Sequence, residues 1–280
     1  MINLKVKDHS VSKEIFTLVE NKKFGFLETT PKPDLKNLSK YYESTDYISH
    51  TNSKRNLFEK AYHFVREITL KQKIKLIKSQ TNSETKNVLD IGCGTGHFLK
   101  TCLSEGWQVT GIEPNEQARS IASKKTNNVV LTPEELFHLP KSSYDVITLW
   151  HVLEHLPDLE QQFQQFKHLL KPDGILIIAV PNYKSFDASY YKEYWAAYDV
   201  PRHLWHFNKK SIKNLAKAFQ LKLIKFKPMW FDAFYVSMLS EKYKSSKNNF
   251  FKAFCVGLIS NVKSLSNKEY SSVIYIIKHN

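Results

Sequence analysis

Three alternating glycines follow a short apolar segment and have the residue types of a loop around a nucleotide-like ligand. Gly92, Gly94 and Gly96 come shortly after Asp90, which lies within the run 88–91. Glycine adopts left-handed backbone and lets main-chain N–H groups approach a ligand closely. A pyrophosphate loop usually has the wider spacing G-x-G-x-x-G. The tighter spacing and the preceding acid favour a ligand that carries an amine or another cationic group.

A second acid follows the next apolar segment and suits the sugar of such a ligand. Glu113 comes after the segment 107–112, at about the separation from the loop expected of a carboxylate that accepts both ribose hydroxyls. We interpret Cys93 as a small packing residue in a loop that binds the ligand through its backbone. The other residues assigned to this binding site are Pro114, Leu136 and Trp150.

Two histidines and an acid follow the apolar segment 144–150 and have the chemistry to move a proton. His151 and His155 are four residues apart, with Glu154 between them, and this spacing predicts that the two rings share one face of a helix. Open α/β sheets bind ligands outside the carboxyl ends of their strands. We therefore interpret His151 and His155 as catalytic candidates.

A second polar cluster lies in an aromatic segment further along the chain. We interpret His203 as a candidate general base and Arg202 as a group that could hold an anionic substrate. The alternative is that Arg202 pairs with Asp199 or Glu193 and only braces the loop. The neighbours assigned to the substrate pocket are Tyr194, Trp195 and Asp199.

Short apolar segments alternate with helical patterns through the middle of the chain, which predicts a parallel sheet with helices on both faces. The expected strands are 88–91, 107–112, 128–131, 144–150, 175–180, 221–227 and 273–278.

The order and the sequences of these segments resemble those of the class I S-adenosylmethionine-dependent methyltransferases. The run from Asp90 to Gly96 looks like the first motif of that family, and the resemblance covers residues 87–228. It implies S-adenosyl-L-methionine as the cofactor. It also implies an α/β fold: a Rossmann-like, doubly wound, mostly parallel sheet of seven strands with the last strand antiparallel. An N-terminal helical lid would place Tyr47 near the methionine end of the cofactor.

A narrower resemblance links the chain to bacterial enzymes that include the ubiquinone-biosynthesis O-methyltransferases. It rests on the runs LWHVLEHLPD, LLKPDGILIIAVPN and YDVPRHLWHF. It implies methyl transfer to a small molecule, with an oxygen nucleophile favoured over nitrogen or carbon. These relatives carry Glu-x-x-Glu-His at a divalent metal site, where this chain has His151, Glu154 and His155. Because the first of these positions is histidine in this chain and glutamate in the relatives, we expect no metal to bind. The candidate ligands, if a metal does bind, are His151, Glu154 and His155.

Four parts are expected along the chain. Residues 1–35 look like the strands of a zinc ribbon without its ligand cysteines, so we expect no zinc there. Residues 36–80 form the helical lid, and residues 81–230 with 271–280 form the methyltransferase core. Residues 231–270 form a helical insertion between the sixth and seventh strands, on the substrate side.

Composition limits the remaining functions. The chain has 280 residues and a net charge of +14, but its lysines are spread along the sequence and no base-stacking motif accompanies them, so nucleic acid is not the favoured partner. The absence of a signal peptide and a disulfide pattern favours the cytoplasm, and the aromatic insertion could support a homodimer. The alternatives are an RNA methyltransferase, a non-catalytic cofactor-binding module and, disfavoured by the glycine spacing, an NAD-dependent oxidoreductase.

Overall fold

Ten strands and eight α-helices occupy the part of the chain that the computed structural model describes. That part comprises residues 3–34, 39–42, 57–81, 86–127, 129–245 and 249–280, with the backbone alone at 39, 42 and 57–64. The strands are β1 Asn3–Lys7, β2 Ile15–Glu20, β3 Leu27–Thr30, β4 Asn87–Ile91, β5 Gln108–Ile112, β6 Tyr144–Trp150, β7 Leu170–Pro181, β8 Trp205–His206, β9 Leu221–Pro228 and β10 Ser272–His279. The helices are α1 Leu57–Lys78, α2 His97–Ser104, α3 Glu116–Thr126, α4 Leu159–Leu169, α5 Phe186–Tyr191, α6 Lys209–Ala218, α7 Asp232–Ser245 and α8 Phe250–Asn267.

The central sheet has the strand order β5-β4-β6-β7-β10-β9. Strands β4 to β7 pair in parallel, whereas β10 runs antiparallel between β7 and β9. The central strands are almost entirely buried, because helices cover both faces of a parallel sheet. The predicted Rossmann-like α/β fold and its antiparallel last strand are confirmed.

The expected strand at 128–131 is reduced to one bridge between Leu131 and Ile112. The Leu131 N–H donates to Gly111, and its carbonyl accepts from Glu113, at 2.9 and 3.0 Å. Pairing stops there because the segment is short and Pro133, which has no N–H, follows two residues later. In the described residues the central sheet therefore has six strands, and the predicted count of seven is not confirmed.

The carboxyl ends of the parallel strands lie along one edge of the central sheet. Asp90, Glu113 and Trp150 are at or next to the ends of β4, β5 and β6. The antiparallel β10 begins at the same edge, where Ser272 pairs with Pro181 of β7. We call this edge the carboxyl edge, and it positions most of the candidate site.

A second, antiparallel sheet with the order β1-β2-β3-β8 lies beside the central one. It joins the N-terminal strands to the aromatic segment, because Leu27 pairs with His206 and Glu28 with Trp205. A second hydrophobic core lies between these strands, the aromatic segment and the insertion helices. Its members include Val6, Phe16, Leu18, Tyr191, Trp195, Tyr198, Val236 and Val256.

Helices α7 and α8 form the insertion between β9 and β10. Asp187 of α5 anchors it: this fully buried carboxylate accepts hydrogen bonds from Trp195, Ser260 and Ser271, each at 2.7 Å. The opposite face of α8 carries exposed apolar side chains. No helix among the described residues is long and apolar enough to cross a bilayer.

Candidate active site

The glycine loop at the carboxyl end of β4 has the backbone that its sequence predicts. Gly92, Gly94 and Gly96 have φ values of +70°, +54° and +73°, where a side chain causes strain. A Cβ at Gly92 would lie 2.4 Å from a methyl carbon of Val152, and one at Gly96 would lie 2.9 Å from Ala122. The loop therefore needs glycine and packs directly against the segment that follows β6.

Two buried acids flank the loop. Glu113 accepts hydrogen bonds from the backbone N–H of Gly94 at 2.8 Å and of Asn115 at 2.9 Å, one to each carboxylate oxygen. Asp90 accepts a hydrogen bond from the Thr148 hydroxyl at 2.6 Å. Burial raises the pKa of Asp90 to about 7 and raises the pKa of Glu113 as well. An oriented carboxylate beside the loop fits a sugar diol, and a buried acid below it fits a cationic group.

Lys73 of α1 also lies at the site, although it was not among the residues predicted from the sequence. Its ammonium lies 4.2 Å from the centroid of the Trp150 ring. Burial lowers the pKa of Lys73 to about 8, although the negative charges of Asp90 and Asp232 oppose that shift. The signal in the sequence was its spacing from the buried Ile77, which puts both side chains on the inner face of α1.

The other predicted cofactor residues occupy different environments. Cys93 donates its backbone N–H to the Ile112 carbonyl at 3.0 Å, and burial raises the pKa of its thiol, which agrees with a packing role. Pro114 is exposed next to Glu113. The side chain of Leu136 is only 3% exposed and belongs to the main hydrophobic core. Tyr47 lies outside the described residues.

His151 and His155 do not share a helix face, so that prediction was wrong. His151 has a φ of +58°, which interrupts helical backbone, and His155 ends the short 3₁₀ turn Leu153–His155. Nε2 of His151 lies 2.9 Å from the carboxylate of Asp232, and its Nδ1 lies 3.4 Å from that of Glu154. Burial lowers the pKa of His151, but the two carboxylates outweigh burial and raise it to about 10. His151 is a cation that links β6 to α7, and this corrects its assignment as a proton acceptor.

The fold brings His155 and His203 together, although they belong to separate polar clusters in the sequence. Their ring centroids are 4.5 Å apart. Nδ1 of His155 lies 3.0 Å from the Arg202 carbonyl, and Nδ1 of His203 lies 2.9 Å from the Ala197 carbonyl. Burial holds the pKa of His203 well below its usual value, so this ring is neutral at pH 7. Glu154, 1% exposed, is the third member of what we call the imidazole cluster.

Arg202 forms an ion pair with Asp199, as in the bracing interpretation. The charge of Asp199 raises the pKa of Arg202 against the effect of burial. Nε2 of His203 lies 3.8 Å from the same carboxylate. The pair stabilises the loop that carries His203, and this loop is the second segment of the imidazole cluster.

The assignment of Trp195 to the substrate pocket stays a prediction, although most of its side chain is in a hydrophobic core. Trp195 is 2% exposed in the second hydrophobic core, and its indole N–H donates to Asp187 at 2.7 Å. Tyr194 lies near the N-terminal segment, with its ring centroid 5.8 Å from that of His9. Some aromatic residues of this segment pack into the second hydrophobic core. Their residue types alone did not predict which ones.

The metal-ligand set implied by the resemblance does not fit this structure. Both ring nitrogens of His151 lie beside carboxylates, and its raised pKa keeps the ring protonated. A metal-ligating imidazole must be neutral. We therefore derive no catalytic step through a metal held by His151, Glu154 and His155.

The sequence is similar to those of known methyltransferases. The model of a family described as Methyltransferase domain matches residues 58–225. A ubiquinone biosynthesis O-methyltransferase of Coxiella burnetii (strain RSA 493 / Nine Mile phase I) is 30% identical over 132 residues, which cover 45% of this chain and 56% of that protein. The protein of the same name from Histophilus somni (strain 2336) is 36% identical over 123 residues, covering 39% and 51%. The chain spans about half the length of the curated relatives it matches.

Solved structures share the fold. The magnesium protoporphyrin IX methyltransferase of Synechocystis PCC 6803 with bound SAH has a TM-score of 0.57 at 17% identity, covering 88% of this chain and 100% of that one. A SAM-dependent methyltransferase from Archaeoglobus fulgidus has a TM-score of 0.54 at 21% identity, covering 79% and 98%. Because the family match extends over more than half of the sequence, the chain belongs to the methyltransferase-domain family, among the class I S-adenosylmethionine-dependent methyltransferases.

Proposed function

We propose that the chain transfers the methyl group of S-adenosylmethionine to an oxygen of a small-molecule acceptor. The proposal depends on one observation: the glycine loop packs against the residue that leads into the imidazole cluster. Gly92 of the loop packs against Val152, and Val152 precedes His155 by three residues. A donor site and a group that can take up a proton are therefore neighbours at the carboxyl edge.

The residues at this edge have separable tasks. The loop backbone and Glu113 would hold the cofactor, whose sulfonium supplies an activated methyl group when bound. Asp90 would balance positive charge below the loop. An alcohol or phenol is a weak nucleophile, so its proton must leave during transfer. His155 is the partly exposed member of the imidazole cluster, and we assign the cluster as a whole to contact the acceptor and assist the loss of this proton.

Transfer of a labelled methyl group tests this assignment. The protein would be incubated with labelled S-adenosylmethionine and a metabolite extract, and the label would be followed into small-molecule and RNA fractions. We expect a small-molecule product with an oxygen-bound methyl. His155→Ala and His203→Ala should each reduce turnover about 100-fold and leave S-adenosylhomocysteine affinity nearly unchanged. Label in RNA alone, or an equal loss of turnover and affinity, would contradict the proposal.

The cellular setting belongs to the same proposal. The three cysteines are free and two of them are buried, which is compatible with the cytoplasm.

One exposed face of α8 is apolar and bears no acidic or basic residue. Its side chains are those of Phe251, Phe254, Leu258 and Val262. We assign this face to a homodimer, because a two-fold axis would pair the same apolar row from both copies.

A further inference from the structure

The imidazole cluster joins three ligand-type side chains from two separate segments. One nitrogen or oxygen from each of Glu154, His155 and His203 lies within 4.8 Å of the others. The backbone fixes the two segments together, since the Leu204 N–H donates to the Glu154 carbonyl at 2.8 Å. The grouping is thus part of the fold, and no single stretch of sequence contains it.

The carboxylate of Glu154 is buried without a hydrogen-bond donor among the described residues. It is 1% exposed, and neither of its oxygens has a hydrogen-bond donor among the described residues. Its nearest cationic contact, Nδ1 of His151 at 3.4 Å, is an ion pair without hydrogen-bond geometry. Buried charged groups are normally hydrogen-bonded or coordinate a metal. Among the described residues the carboxylate therefore has one cation beside it, His151, but its oxygens lack the hydrogen bonds that usually accompany such burial and keep lone pairs free for a second partner.

The two imidazoles are oriented as metal ligands usually are. Nδ1 of His155 lies 3.0 Å from the Arg202 carbonyl, and Nδ1 of His203 lies 2.9 Å from the Ala197 carbonyl. In metal sites such a contact fixes the tautomer that carries hydrogen on Nδ1, so that Nε2 becomes the ligand atom. The same backbone contact occurs on both rings, beside the carboxylate that lacks donors.

We propose that Glu154, His155 and His203 bind one divalent transition-metal ion of the zinc type. Two imidazoles and a carboxylate are a ligand set of Zn²⁺ and Fe²⁺ sites that keep a position open, whereas Mg²⁺ and Ca²⁺ prefer oxygen ligands. The ligand atoms would close to about 3.0–3.5 Å from one another, as expected for metal–ligand bonds of about 2 Å. The set differs from that implied by the resemblance, because His203 enters it and the ion-paired His151 does not.

Metal titration tests the ligand set without donor or acceptor, so its outcome is separate from that of the methyl-transfer proposal. Tag-free, chelator-treated full-length protein would be titrated with Zn²⁺ by calorimetry and with Co²⁺ by visible absorption. We expect one site and a cobalt spectrum typical of nitrogen and oxygen ligands. Glu154→Gln and His203→Gln should each weaken Zn²⁺ binding by at least about tenfold and abolish the cobalt spectrum.

Two comparisons keep the test decisive. His155→Gln changes a partly exposed ligand, and S-adenosylhomocysteine binding in the same samples shows that each variant is folded. His151→Gln is the matched control and should keep Zn²⁺ affinity within about threefold. The inference is overturned if the wild-type protein binds no Zn²⁺, if the ligand variants bind it as well as wild type does, or if His151→Gln weakens binding as much as His203→Gln.

Discussion

Individual side chains at the glycine loop combine burial with fixed hydrogen-bond geometry. Glu113 has one backbone donor on each carboxylate oxygen, which fixes its direction while leaving further lone pairs for a diol. The sequence indicated this acid by type and separation. Its only signal for Lys73 was the helical spacing from Ile77, and it contained none for the Asp232 carboxylate, because both side chains reach the site through long-range packing of α1 and α7.

Replacement of Glu113 tests the diol contact. Glu113→Gln keeps the shape but removes the charge, and a hydrogen bond to a charged group contributes about 1.5–3 kcal/mol. We expect about 10- to 100-fold weaker S-adenosylhomocysteine binding by calorimetry. Glu116→Gln, three residues away and exposed, should bind as the wild type does. Equal affinity of the two variants would remove Glu113 from the site.

Asp90 makes stability depend on pH. Burial raises its pKa to about 7 in the folded chain, against about 4 when unfolded. The folded state therefore holds a proton that the unfolded state releases, and this stabilisation is full below pH 4 and lost as the pH rises through 7. We expect the free energy of unfolding, measured in urea without ligand, to fall more from pH 5 to pH 8 in the wild type than in Asp90→Asn. Identical slopes would show that Asp90 does not carry this proton.

The strands and helices were predictable where hydrophobic patterning is local. The segment 144–150 became β6, and α7 and α8 lie close to the expected insertion. The pairing of β3 with the two-residue strand β8 was not predictable, because main-chain hydrogen bonds between distant segments leave no residue signature. That pairing helps bring the loop of His203 towards His155. The imidazole cluster therefore could not be predicted from sequence patterns either.

Asp187 is expected to hold the insertion helices in place. Asp187→Ala leaves the donors of Trp195, Ser260 and Ser271 without their partner, and each unsatisfied buried donor costs about 1–3 kcal/mol. We expect a loss of at least about 3 kcal/mol in the free energy of unfolding in urea. The exposed control Asp173→Ala should change it by less than about 0.5 kcal/mol. Comparable losses in both variants would argue against this anchoring role.

At the scale of the whole molecule, the exposed face of α8 tests self-association. Phe251 is 80% exposed, and a charge there would repel its counterpart across a two-fold axis. We expect sedimentation velocity to show a wild-type dimer that Phe251→Glu converts to a monomer. Val129→Glu, which changes an equally exposed apolar residue elsewhere (77%), should leave the dimer intact. A monomeric wild type at every concentration would exclude this arrangement.

The central claim is that the loop at the carboxyl end of β4 binds S-adenosylmethionine and not a dinucleotide. Calorimetric titration of the purified chain with S-adenosylhomocysteine and, separately, with NAD tests it most directly. The tight glycine spacing and the buried acids predict saturable one-to-one binding of S-adenosylhomocysteine and none of NAD. Binding of NAD alone, or of neither compound, would contradict the account.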